Sequence, residues 1–352
     1  MNNNKLITVS VAAYNSENVL RRCLDSFIIP EIMDAVEVII VNDGSSDKTS
    51  EIAHYYQQKW PNTFIVIDKD DKGYGSTINI SIEKASGKYF KTVDADDYVD
   101  GVGLKDLIST LVDTDVDLIF SPFFVEYINK KNIEVKSCLP SKYADYKEYA
   151  LQEIGLEDCV DLEMHGMTFK TALLKKSSYR LDENCFYVDA EYVIYYTSSA
   201  RTYMKTKKPI YVYRIGASNQ SMALINMQRR RNEHLKVVRS LLNFWNSCEK
   251  SLIGNQKELI FTRINFAVLT QYRIILSLKN PKISRKEMIY FDKELKMQST
   301  KIYTKSIEIG KKMNSGTAKL IYFFRLINFR FYELVQPIVR NKIFNDKKDD
   351  IF

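Results

Sequence analysis

Residues 36–47 read VEVIIVNDGSSD. Val36–Val41 is apolar and β-branched apart from Glu37, as a strand buried on both faces of a parallel sheet requires. It stops on Asn42-Asp43-Gly44-Ser45-Ser46-Asp47, a polar turn that caps a helix over Lys48–Gln58. The same rhythm extends to either side. Upstream, Leu6–Ala13 reads as a buried strand. Ser16–Phe27 then has helical spacing, with Ser16 placed as N-cap and Val19, Leu20, Cys23, Leu24 and Phe27 on one face. Downstream come a strand at Phe64–Ile67, a helix at Gly75–Lys84 and a strand at Lys88–Val93 ending on Asp94. This alternation predicts an α/β fold with a parallel sheet and right-handed crossovers. Ligands of such sheets bind at the carboxyl ends of the strands, where Asn15, Asp43, Asp94 and Asp96 fall.

From about residue 104 to 220 the alternation loosens. Leu118–Tyr127 and Ile210–Tyr213 read as strands, and Lys170–Lys176 and Tyr192–Ser199 as helices. Beyond about 222 the strand signals vanish. Asn232–Ser247, Lys257–Ser277 and Ala318–Val339 read as long helices. Charge changes at the same place: residues 1–220 carry 25 Lys+Arg against 33 Asp+Glu, and residues 221–352 carry 26 against 11. A domain at 1–222, whose alternation is regular to about residue 100 and looser beyond, and a basic helical module at 223–352 are expected. Such a module meets an anionic membrane surface or an anionic polymer, or its aromatic stripe pairs subunits. Nothing resembles a nucleic-acid recognition motif. Five cysteines without a CxxC spacing point to a reducing compartment, and neither a secretory signal nor a membrane-spanning run is read.

Four motifs carry chemistry. In Asp94-Ala95-Asp96-Asp97, two carboxylates one residue apart leave a buried strand and can both reach one Mg²⁺ or Mn²⁺. Asp43, at a strand end, can accept a hydrogen bond from a nucleobase imide. In VSVAAYNSE (Val9–Glu17), backbone groups and Tyr14 can flank a base. Asp71-Lys72-Gly73-Tyr74-Gly75 sets a cation and glycines before a helix, which suits phosphate or ribose.

The order VSVAAYNSE, VIIVNDGSSDKT and DKGYGSTINISIEKASGKYFKTVDADD resembles the family-2 glycosyltransferases, inverting enzymes with a GT-A fold. The resemblance is close over residues 5–100 and looser over 160–222. It implies a Rossmann-like, mostly parallel sheet flanked by helices, a UDP-sugar donor and a Mn²⁺ or Mg²⁺ ion. Ala13, Tyr14 and Glu17 then correspond to the first nucleotide-contacting segment, Asp43 to the uracil-binding aspartate, and Lys72 and Gly73 to the segment that closes over the nucleotide. Asp94, with Ala95 beside it, corresponds to the first carboxylate of the acidic motif, near ribose and diphosphate, and Asp96 to the metal ligand. In CFYVDAE (Cys185–Glu191), Val188 stands where the family usually has Glu. Asp189 aligns with the catalytic base and Glu191 is its alternate. His165, Gly166 and Met167 resemble the sugar-pocket segment. Arg214, Gln220 and Ser221 resemble the loop over the diphosphate, which here lacks the metal-binding His of some relatives.

The resemblance further implies a hexosyl- or N-acetylhexosaminyltransferase acting on a polysaccharide, teichoic-acid-like or glycoconjugate hydroxyl, in the cytoplasm or at the inner face of the membrane. A nucleotidyltransferase would need a Gly-rich basic loop after the first strand, where AAYNSE stands. A catalytically silent sugar-nucleotide or polymer-binding module is the alternative of another class, and the intact Asp43, Asp94, Asp96 and Asp189 speak against it.

Overall fold

A computed structural model of the chain describes residues 5–155, 162–216, 223–312 and 315–344. The chain divides into two compact units, Met1–Ser218 with Ile253–Gln256, and Asn219–Leu252 with Lys257–Phe352.

The first unit opens with β1 (Ile7–Ala13), α1 (Leu20–Asp25), β2 (Val36–Asp43), α2 (Thr49–Lys59), β3 (Phe64–Lys69), α3 (Tyr74–Lys84) and β4 (Tyr89–Asp94). It continues through β5 (Tyr98–Val99), α4 (Gly101–Asp113), β6 (Leu118–Phe120), β7 (Phe123–Tyr127), β8 (Asn132–Lys136) and β9 (Tyr149–Ala150). It closes with β10 (Met167–Lys170), α5 (Thr171–Lys176), α6 (Asp189–Ser199), β11 (Thr202–Lys205) and β12 (Tyr211–Ile215). The main sheet has the order β3-β2-β1-β4-β10-β6-β11-β9. β3, β2, β1 and β4 are mutually parallel, and β10 enters antiparallel beside β4. Ile7, Val9 and Val11 on one face of β1 and Thr8 and Ser10 on the other are all buried, so this strand, central between β2 and β4, carries no solvated face. A smaller sheet, β5-β12-β7-β8, stands beside it. The fold is the expected mixed, mostly parallel sheet flanked by helices, with a helical C-terminal region.

Several readings of the sequence change. Helix α1 starts at Leu20, not at Ser16. The amides of Ser16 and Glu17 donate instead to Thr49 Oγ1 (2.7 Å) and Asp47 Oδ2 (3.0 Å), which draws them into a loop against the end of β2. The Ser16 hydroxyl bonds to Tyr14 O and caps nothing. The single strand read over Leu118–Tyr127 breaks at Ser121-Pro122: β6 joins the main sheet and β7 the smaller one. Pro122 cannot donate to a ladder, and its carbonyl accepts from Ile210 N at the turn between sheets. Helix α4 was not foreseen; Asp100 caps it by accepting from Gly103 N at 2.8 Å.

The second unit is helical: α7 (Leu224–Arg229), α8 (Arg231–Cys248), α9 (Gly254–Leu276, its first turn counted with the first unit), α10 (Pro281–Gln298), α11 (Thr300–Lys312), α12 (Gly316–Leu326) and α13 (Tyr332–Phe344). The helix read over Ala318–Val339 is two helices. Asn328, Phe329 and Phe331 between them have positive φ, and Phe329 turns inward against Phe324 and Tyr332. Inside this unit the Tyr272 hydroxyl and Arg325 Nε both donate to Asp292 at 2.7 Å, and the Arg325 guanidinium lies 3.6 Å from the Tyr303 ring centre. Helix α9 is long and apolar enough to cross a membrane by length and composition, which the sequence reading did not anticipate; 72% of its apolar window is buried, as in the core helix of a bundle. The four described cysteines, Cys23, Cys138, Cys185 and Cys248, are buried, and Cys159 lies outside the described residues.

Candidate active site

The carboxyl ends of β1 and β2 are laced together. Asn15, with φ of 46°, accepts from Ser46 N (2.9 Å), and its own amide donates to Ser45 Oγ (3.0 Å). Glu17 accepts from Lys48 N at 3.1 Å, so its carboxylate holds the start of α2. Ala13 is buried and Tyr14 is exposed beside this loop. Asp43 ends β2 and is buried. Its Oδ1 accepts from Lys72 N at 3.0 Å and from the Lys69 ammonium, whose residue is its register partner on β3. Lys69 went unnoticed in the sequence; the pairing of β2 with β3 is the signal that reveals it. The Lys72 side chain is exposed, while its carbonyl accepts from Asn184 N at 2.5 Å. Gly73 has φ of 78°, and an added Cβ would sit 3.2 Å from Cys185 N, so this loop reaches the segment before α6 only as glycine.

Beside it, β4 delivers the acidic turn. The Tyr74 hydroxyl, at the first residue of α3, donates to Asp94 Oδ1 at 2.6 Å. The Asp94 amide donates to the Tyr211 hydroxyl (3.1 Å), which in turn donates to Asp97 Oδ2 (2.5 Å). Asp97 Oδ1 accepts from Arg214 N at 2.8 Å. Ala95 and Asp97 are buried, whereas Asp96 is exposed at the tip of the turn. Burial, then the neighbouring Asp96 carboxylate, pushes Asp94 up to about 6. Burial, then Asp94 and Asp96, carries Asp97 well above the usual carboxylate range. Crowded carboxylates of this kind relax when a cation joins them. Asp94, Asp97 and His165 offer ligand atoms all within 4.8 Å of one another.

His165 lies in a 3-10 turn, Met164–Gly166, that leads into β10. Its ring stacks on Tyr213 at 4.3 Å and meets the Tyr211 edge at 4.7 Å, and Nδ1 is 3.2 Å from the Glu163 carboxylate. Gly166 is required by close approach: a Cβ would fall 2.3 Å from Cys138 Sγ. Met167 is fully buried in the core, so its side chain lines no open pocket. Beneath them Lys91 is wholly buried, and its ammonium donates to His165 O (2.6 Å) and Met167 O (3.3 Å). Burial brings its pKa down to about 7.

Helix α6 begins at Asp189, three residues earlier than the sequence pattern places it. Asp189 is exposed at the helix start, near enough to Asp94 and His165 to act on both electrostatically. The protein packed around it raises its carboxyl pKa, with His165 opposing the shift. Glu191 faces the other way. It is fully buried, accepts from Asp182 N (2.8 Å) and from the Tyr195 hydroxyl (3.3 Å), and burial pushes it up to about 8. The Arg214 guanidinium is 2.8 Å from Glu126, its register partner on β7. Gln220 and Ser221 lie outside the described residues.

Asp43, the acidic turn, His165 and Asp189 thus all belong to one unit, and all but His165 sit at carboxyl ends of the parallel strands or at the start of α6. Ligands of such sheets bind at these strand ends. Residues 8–181 match the family described as glycosyl transferase family 2, and that part of the chain is a domain of this family. Among its relatives, EpsH of Bacillus subtilis is 29% identical over 217 residues, 60% of this chain and 62% of EpsH. The minor teichoic acid biosynthesis protein GgaB of the same organism is 28% identical over 221 residues, 61% of this chain and 23% of GgaB. The chain therefore spans less than two thirds of the length of either. Among solved structures, S. aureus TarS 1-349, crystallised in complex with UDP-GlcNAc, superposes with a TM-score of 0.64 and 18% identity, covering 96% of this chain and 92% of that one. The superposition speaks to the fold.

Proposed function

We propose that this chain is an inverting glycosyltransferase that moves a hexosyl or N-acetylhexosaminyl group from a UDP-sugar to a hydroxyl of a cell-surface polymer or glycoconjugate. One observation supports the reading: His165 lies beside Asp94, and Asp189 is near enough to both to act on them electrostatically. A donor whose diphosphate lies at Asp94 would turn its anomeric carbon toward Asp189.

The roles follow from chemistry. Asp43 accepts from the uracil imide, with Lys69 and the Lys72 amide holding its carboxylate in place. Ala13, Tyr14 and Glu17 border the base, and Lys72 and Gly73 border the ribose. Asp94 and Asp96 would hold a Mn²⁺ or Mg²⁺ ion, which when bound neutralises the departing diphosphate. The acceptor hydroxyl attacks the anomeric carbon, its proton passes to the Asp189 carboxylate, and the bond to the UDP oxygen breaks. A raised carboxyl pKa favours that proton uptake. Glu191, pointing into the core, is left with a structural part. Gly166 sets the turn that presents His165 to the sugar, and Met167 supports it from the core. Arg214, paired with Glu126, sits on the strand that leads to Gln220 and Ser221.

TarS with UDP-GlcNAc and GgaB of teichoic acid biosynthesis support a UDP-linked donor and a polymer acceptor. Such an acceptor puts the enzyme in the cytoplasm, at the inner face of the membrane. The test is UDP release with Mn²⁺ across a panel of UDP-hexoses and UDP-N-acetylhexosamines. Turnover of one donor, abolished in Asp43→Ala, is expected. Binding of UDP with no turnover of any donor would leave a silent binding module.

A further inference from the structure

We infer that the outward faces of α12 and α13 form a membrane-docking surface for anionic lipid. The surface uses no residue of the transfer site, so it stands or falls apart from the reading above.

The core-facing sides of these helices are accounted for: Ile321, Phe324, Tyr332 and Gln336 are fully buried. Their other sides are apolar as well. Leu326, Phe331, Leu334 and Ile338 are between 67% and 71% exposed, and Tyr322 and Phe323 are 44% exposed. On α12, Lys319, Tyr322, Phe323 and Leu326 follow the i, i+3, i+4, i+7 spacing of one helix face. On α13, Leu334 and Ile338 are one turn apart and share a face. Scattered exposed leucines are ordinary, but a series of large apolar side chains along two successive helices is not.

Charge identifies the occupant. Apart from Arg325, which is paired with Asp292 inside the unit, residues 315–341 carry the cations Lys319, Arg330 and Arg340 against the single carboxylate of Glu333. Lys319 and Arg330 are exposed next to the apolar positions. A second copy of the chain would bring like charge against like charge across a self-complementary interface. A polyanion such as nucleic acid would satisfy the cations and leave Leu326, Leu334 and Ile338 in water. A bilayer with anionic headgroups satisfies both, because the aliphatic and aromatic side chains enter the headgroup–acyl boundary while the cations meet the lipid charge.

The test is flotation of the full chain with vesicles of phosphatidylcholine alone and of equal parts phosphatidylcholine and phosphatidylglycerol. The protein is expected to float with the anionic vesicles at low salt and to stay down with the neutral ones. Leu334→Ser with Ile338→Ser, and separately Lys319→Glu with Arg330→Glu, should each lower the bound fraction about tenfold or more. Their melting temperatures and UDP release in free solution should match the parent. No flotation, or flotation indifferent to both pairs of changes, would overturn the inference. So would a protein that is dimeric by light scattering and becomes monomeric in the Leu334→Ser, Ile338→Ser variant, since the face would then belong to a second copy.

Discussion

Tyr74 and Asp94 are joined by a 2.6 Å hydrogen bond that ties the first residue of α3 to the last of β4. Burial, then the Asp94 charge, holds the Tyr74 phenol well above its ordinary pKa, so it stays a donor. The bond in turn opposes the rise in the Asp94 pKa. Loop 71–73 and the acidic turn are thereby set against each other before any donor arrives.

Tyr74→Phe deletes that donor. A hydrogen bond to a charged group is worth about 1.5–3 kcal/mol, so kcat/KM for the donor should fall roughly tenfold or more. The Asp94 pKa should rise further, moving the acid limb of the pH–rate profile upward. Steady-state kinetics across pH reads both effects.

Asp97 accepts from Tyr211 and from the Arg214 amide, so it fastens β12 to the acidic turn. In Asp97→Asn the amide nitrogen faces one of those donors. The expected cost is about 1–3 kcal/mol of stability together with a loss of turnover. Tyr211→Phe should lose part of the same energy. A double-mutant cycle by denaturant melting should give a coupling clearly different from zero.

Glu191 makes a prediction about pH. Its carboxyl is raised from 4.5 to about 8, so the native state holds a proton that the unfolded chain releases. The stability it contributes is fully present below pH 4.5 and is lost as pH rises through 8. The loss across that window is on the order of 5 kcal/mol at most. Glu191→Gln cannot ionise and should be more stable than the parent at pH 8, with a flatter stability profile. Chemical denaturation at pH 5 and pH 8 measures the difference.

The strands of the nucleotide half were legible because β1, β2 and β4 are buried on both faces and are built mainly from β-branched and aromatic residues. Asp43, Asp94 and Asp96 were legible because polar residues end those strands. What the chain order hides is which carboxylate turns inward. In Asp94-Ala95-Asp96-Asp97 the spacing treats three acids alike, and only the Tyr211 hydroxyl, 114 residues away in sequence, marks Asp97 as the buried one. Tyr74 and Lys91 escaped for a similar reason, since their partners come from β4, the 3-10 turn at His165 and β10. Helix α4 was missed although Asp100 caps it. The break at Phe329 was missed because an aromatic run reads as one helix until the inward turn of that ring is seen.

The most direct measurement compares Asp189→Asn with the parent in transfer and in donor binding. Single-turnover transfer to an acceptor should drop by roughly 10²–10⁴-fold while the UDP-sugar dissociation constant, by calorimetry, stays within about threefold. Transfer that persists near the parent rate in Asp189→Asn would contradict the account, because the acceptor proton would then pass to another group.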